Sequence, residues 1–188
     1  FNKVKINIAD QHRGLCTSVT SGVREVIEEY GKAIIVEDDL IVASDFIQVM
    51  NDMLDFYEKD QRIFSVGGYS EPLKSLEKYN RDFYLSYRPT SWGWGTWKDR
   101  FDTVDFNLDN SALDDKETMA RLKRGGADIK GMLQNQVYGL SDSWAVQFTY
   151  AQAKQDRLTV LPKQSRVYND GMDNSGTHCT TMTTQAKN

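Results

Sequence analysis

Three consecutive carboxylates, Glu37-Asp38-Asp39, follow the short apolar run Ala33-Ile34-Ile35-Val36, and no other stretch of the chain points as directly to chemistry. Adjacent acids repel one another and raise each other's pKa unless a cation is near, so a bound divalent metal is their natural compensation. In an extended segment Glu37 and Asp39 point to one side and Asp38 to the other, so at most two of them address one ion directly. The apolar run itself reads as a strand buried on both faces, and in parallel α/β sheets ligands bind beyond the carboxyl ends of the strands. The plainer alternative is a solvated acidic turn between a strand and a helix.

The rest of the composition narrows what such a site can be. The histidines are His12 and His178 and the cysteines Cys16 and Cys179, so a multi-histidine metal centre, a CxxC zinc pair and a disulfide framework are all excluded. A site built on carboxylates suits a hard cation, Mn2+ or Mg2+, which commonly bridges the phosphates of a nucleotide substrate. Phosphoryl transfer and glycosyl transfer from a nucleotide-sugar both fit. The chain has no GxxxxGK[ST] loop, which disfavours a P-loop nucleotidase.

Helices and strands must position these groups. Val19, Val23, Val26, Ile27 and Tyr30 recur at spacings of three and four, which predicts an amphipathic helix stopped by Gly31. Ser44 or Asp45 can cap a second helix with Phe46, Val49, Met50, Met53, Leu54 and Tyr57 on one stripe. Ile63 to Val66, Phe83 to Tyr87 and Leu158 to Leu161 read as strands, Lys116 to Lys123 and Ile129 to Asn135 as short helices, and a further helix begins just after Asp142. Helices alternating with short buried strands predict an α/β layered fold with a mixed, largely parallel sheet. The segment after Tyr168 has no periodicity and reads as loop and tail, taken as residues 170–188 of a single domain spanning 1–188.

The charge balance excludes some partners. With 23 basic against 27 acidic residues and a net charge of −4, the chain has no electrostatic grip for nucleic acid or anionic lipid. No apolar run approaches the roughly 18 residues that cross a bilayer, and no signal-peptide pattern opens the chain. A soluble globular domain is expected; its oligomeric state is not encoded in any pattern seen here.

The stretch IIVEDDLIVASDF resembles the metal-binding segment of GT-A glycosyltransferases, above all the family of the animal N-acetylglucosaminyltransferase that initiates complex N-glycans. RGLCTSVTSGV resembles the helix before that motif, SWGWGTW a Gly-Trp segment that shapes the donor-sugar pocket, and LSDSWAVQ the acidic helix start that carries the catalytic base. The tail, NDGMDNSGTH, is similar to that of bacterial surface-polysaccharide glycosyltransferases. The resemblance runs from about Arg13 to His178. It implies a GT-A-like, Rossmann-related fold and an inverting, metal-dependent enzyme that moves a sugar from a nucleotide-sugar of UDP type to a saccharide acceptor. It further implies a cytoplasmic location, peripheral to the inner membrane at most.

Residue roles follow from the same resemblance. Asp39 and Asp38 would hold the metal, with His178 completing its shell; Glu37 and Asp38, with Arg13 and Gly14, would border the nucleotide. Trp92, Gly93 and Trp94 would line the sugar pocket, the glycine admitting a close backbone approach and the indoles offering flat faces. Asp142 would be the general base, although here Ser143 rather than an acid directly precedes Trp144, and Asp142 or Ser141 would equally serve as the cap of the following helix. The family places a nucleotide-binding strand-helix-strand region before the acidic motif, whereas 36 residues precede Glu37 and the first is Phe1. The expectation is therefore an N-terminally truncated domain that lacks its first nucleotide-binding strands, binds nucleotide weakly and turns over poorly. Two rival readings are a non-catalytic carbohydrate-binding module and a metal-dependent phosphohydrolase.

Overall fold

The computed structural model of the chain describes residues 3–171. After an extended lead-in, helix α1 (Leu15–Tyr30) ends where Gly31 adopts φ 76° and returns its N–H to the Ile27 carbonyl, a left-handed stop that glycine makes without strain. Then follow β1 (Lys32–Ile35), β2 (Leu40–Val42), α2 (Phe46–Tyr57), β3 (Ile63–Gly67), β4 (Phe83–Ser86) and β5 (Trp94–Trp97). The short helices α3 (Lys98–Phe101) and α4 (Ser111–Asp114) lead to α5 (Lys116–Gly125), α6 (Ile129–Val137) and α7 (Trp144–Lys154), and β6 (Leu158–Pro162) and β7 (Val167–Asn169) complete the described chain.

The main sheet has the order β1-β5-β3-β6-β4. Only β3 and β6 are neighbours in parallel; β1–β5, β5–β3 and β6–β4 pair antiparallel. The expectation of a largely parallel sheet is therefore corrected: the sheet is mixed and mostly antiparallel. The physical reason is β5, the WGTW of the Gly-Trp segment, which inserts between β1 and β3 and runs against both. Gly95 at its centre is needed there, since a Cβ would stand 2.9 Å from the Ala33 carbonyl oxygen and 3.2 Å from Leu54. A second correction concerns β1, expected to be buried on both faces. It lies at the sheet edge, and Ala33 is its one buried residue.

Helices cover both faces of the sheet. On one, α1 and α7 pack Val23, Ile27 and Phe148 against Phe64 and Trp94. On the other, α2 buries Phe46, Met50, Met53 and Leu54 against Ile63, Val66, Trp97 and Val160, each such side chain worth roughly 1.5–3 kcal/mol. A bulge between Ile63 and Ser65 turns Phe64 and Ser65 toward the same side: Phe64 meets the Phe148 ring, and Ser65 bonds Thr159, which donates to Gln152 of α7. Helix α7 is buried almost all round because α4, α5 and α6 pack on its far side through Ala112, Leu122, Ile129 and Leu133.

The carboxyl end of β1 and the start of β5 share one end of the sheet, and there β2 and β7 form a separate two-stranded antiparallel ribbon. Asp45 precedes α2 but makes no side-chain cap bond, accepting instead from Arg166 Nε at 3.0 Å; the expected Ser44 or Asp45 cap is absent in that sense. Residues Lys3 to Ala9 form no ladder, and Val4, Ile6 and Ile8 are exposed at alternating positions while Lys5 and Asn7 bond Glu25 of α1. Among the described residues no helix is long and apolar enough to cross a membrane.

Candidate functional site

The chain leaves β1 through a tight turn, with the Leu40 N–H directed at the Glu37 carbonyl, before entering β2. The turn replaces the extended geometry expected for the triplet, so Glu37, Asp38 and Asp39 all line a single cavity of about 1110 Å³. The same cavity is lined by Ser18, Val19 and Gly22 of α1, by Ser91 and Trp92 before β5, and by Ser141, Asp142 and Ser143 before α7.

The three acids stand in different surroundings. Asp38 is exposed, whereas Glu37 and Asp39 are half-buried. Burial, reinforced by the charges of Asp39 and Asp38, pushes the Glu37 carboxyl up to about 7. Asp39 Oδ2 accepts from Asn169 Nδ2 at 3.2 Å, and the Asp39 carbonyl accepts from the Asp170 N–H. Asp39 Oδ1 is buried and, among the described residues, has no hydrogen-bond partner. An orphaned carboxylate oxygen is costly to bury, and a hard cation is the group that would satisfy it. The donors present therefore fit Mn2+ or Mg2+ held by one or two carboxylates and completed by oxygens from water or substrate. Among the described residues no three His, Cys, Asp or Glu side chains converge as a metal-holding group. His178, expected as a further ligand, lies outside the described residues, as does Cys179.

Asp142 caps a helix, but not the one it precedes. Its Oδ2 accepts the Cys16 N–H at 3.2 Å, satisfying a free donor at the start of α1, 126 residues away in sequence. The cap position of α7 belongs to Ser143, whose side chain makes no cap bond; its N–H donates to Gln136 Oε1 at 2.7 Å, and Ser141 Oγ donates to the same oxygen. Gln136 thus holds the loop on both sides of Asp142, whose Oδ2 is engaged by the start of α1. Gly14, at φ 81°, is what lets this happen: a Cβ there would lie 2.6 Å from Asp142 Oδ2. Cys16 is a free, buried thiol that receives Gln147 Nε2, and burial pushes its pKa up, so it is not a poised nucleophile.

Of the remaining expected residues, Trp92 lines the cavity. Trp94 does not: it is 1% exposed and stacks on Trp144 with ring centroids 4.7 Å apart. Gly93 is buried at φ 62°, where a Cβ would press on Val167 and Phe46. Arg13 is exposed and does not line the cavity. Sequence reasoning missed Asn169 and Gly171, which sit against Asp39; a Cβ at Gly171 would come within 2.7 Å of Asp39 Oδ2. Their signal was the NDG at the head of the tail pattern. No family model matches the chain, and no curated protein matches it.

Proposed function

We propose that the protein is a metal-dependent glycosyltransferase that moves a sugar from a nucleotide-sugar donor of UDP type to a saccharide acceptor, with inversion, in bacterial polysaccharide or glycoconjugate synthesis. The observation that carries this reading is one large cavity with an unpartnered Asp39 oxygen and an acidic turn on one side and the Asp142 carboxylate on another. Asp39, aided by Asp38 or Glu37, would hold Mn2+ or Mg2+, and a cation there would supply charge neutralisation for a leaving diphosphate. Asp142 Oδ1 takes the proton of the attacking acceptor hydroxyl, while its other oxygen is fixed by α1. Trp92 presents an aromatic surface to a sugar ring.

A layered GT-A arrangement belongs to the same reading. An edge strand β1, with Val4, Ile6 and Ile8 exposed in the lead-in along α1, is what a sheet extended by further nucleotide-binding strands would present. A cytoplasmic site of action is part of the proposal.

The test is a thermal-shift series with UDP-sugars, with and without Mn2+, since a ligand that binds only the folded state raises its apparent stability. Stabilisation that requires both components and vanishes in Asp39→Ala is expected. A shift indifferent to Mn2+ and to Asp39 would remove the basis of the reading, and steady phosphate release from simple phosphate esters without an acceptor would replace it with a phosphohydrolase.

A further inference from the structure

A second cavity of about 650 Å³ adjoins the first, the two sharing Ser91, Trp92 and Ala145 as lining residues. Its size falls in the roughly 300–1,000 Å³ span of small-molecule sites. Trp92 stands between the two spaces. Its backbone N–H is pinned by Thr90 Oγ1 at 3.1 Å, and its ring meets Tyr69 edge to face with centroids 4.5 Å apart. Tyr84, Met132 and the polar pair Arg88–Asp128 line the far side. Aromatic faces for C–H surfaces, together with planar charged groups for paired hydroxyls, are the combination that recognises a sugar ring.

The charges decide which kind of sugar. Arg88 Nη1 donates to both oxygens of Asp128, at 2.8 and 2.9 Å, so the cation that the described residues bring to this cavity is already engaged by an acid. Glu71 lines it too and is hydrogen-bonded with Tyr69. Among the described lining residues the formal charges, Glu71 and Asp128 against Arg88, sum to a net negative, which disfavours a carboxylate on a ligand.

We propose that this second cavity binds the acceptor, and that the acceptor is a neutral saccharide presented to the donor cavity across Trp92. The assignment as acceptor rests on the glycosyltransferase reading; the binding of a neutral saccharide does not. The experiment is a saturation-transfer and chemical-shift titration with lactose, N,N′-diacetylchitobiose and maltotriose, set against trigalacturonate. The Trp92 indole N–H and the Met132 methyl serve as reporters. At least one neutral saccharide is expected to perturb both reporters, with trigalacturonate at least tenfold weaker. Met132→Trp, at a position 40% exposed and so tolerant of substitution, should fill the space and weaken the neutral saccharide at least tenfold. Asp128→Asn should free Arg88 and narrow the preference against trigalacturonate.

The proposal falls if none of the three neutral saccharides binds, if perturbations map only to Glu37–Asp39, or if trigalacturonate binds as well as they do. UDP-sugar and Mn2+ binding is read separately in the same samples. Saccharide binding without it would leave the cavity standing and sink the transferase reading; the reverse would sink the cavity alone.

Discussion

The β1–β5 pair has charged groups at both of its ends, and the two ends treat charge in opposite ways. Beyond Trp97, Arg100 is 2% exposed, yet its Nη2 donates to the Glu58 carbonyl at 2.6 Å, its Nη1 to Asp99 at 2.7 Å, and its guanidinium lies 4.4 Å from the Trp97 ring centre. Beyond Ile35, the acids gather without compensation: among the described residues none of Glu37, Asp38, Asp39 and Asp142 has an ion-pair partner. A charge that the fold neutralises internally serves the fold. Glu37 and Asp39, left uncompensated and half-buried at a cost, are the charges that the proposed function assigns to a ligand from outside.

Substitutions can break this contrast, the largest effect being expected at the uncompensated end. On the proposed glycosyltransferase reading, Asp142→Asn removes the proposed proton acceptor but keeps a side chain able to cap α1, so turnover in a coupled UDP-release assay should fall about 100- to 10,000-fold while the melting temperature holds. Equal losses of turnover and stability would mean that Asp142 is only a cap. At the compensated end, Arg100→Met should cost about 1–3 kcal/mol in urea unfolding, because it strips the carbonyls of Glu58 and Asp60, just past α2, of their donor. Nucleotide-sugar binding by the folded fraction should not change.

Glu37 gives the comparison a pH signature. Its carboxyl is pushed up to about 7 from an ordinary 4.5, so the native state binds the proton more tightly than the unfolded chain does. The stability this adds is complete below about 4.5 and is lost as pH rises through about 7. Because Glu37 is partly open to solvent the step should be small, about 1 kcal/mol after screening. Melting temperature should drift down from pH 5 to pH 8, Glu37→Gln should flatten that drift, and Mg2+ should restore stability at pH 8. A wild-type drift unaltered in Glu37→Gln would place its origin elsewhere. The smallest effect belongs to Asp45→Ala. With no cap bond to lose and only an exposed pair with Arg166, it should change unfolding free energy by under about 1 kcal/mol.

What could be read from the amino acids followed from how each element meets its surroundings. Helices α1 and α2 were legible because each buries one stripe, and the strand Ile63 to Val66 because it is buried throughout. Strand β5 was not, because Trp94-Gly95-Thr96-Trp97 mixes the largest and smallest side chains to fit between β1 and Leu54, and no period betrays it. Missing β5 also hid the mixed strand directions. The acidic turn announced itself locally. The second role of Asp142 could not, since its partner is the Cys16 N–H, and backbone groups carry no sequence signal.

Two contacts that hold the site, Cys16 with Asp142 and Asp39 with Asn169, join residues 126 and 130 positions apart. Contacts of such separation are entropically late rewards in a folding reaction. On a translating ribosome the acidic turn stays unheld while the 130 positions that separate Asp39 from Asn169 are made and threaded out of the exit tunnel. Over that stretch of synthesis the nascent chain carries its candidate cation ligands without the grip that would make them a site.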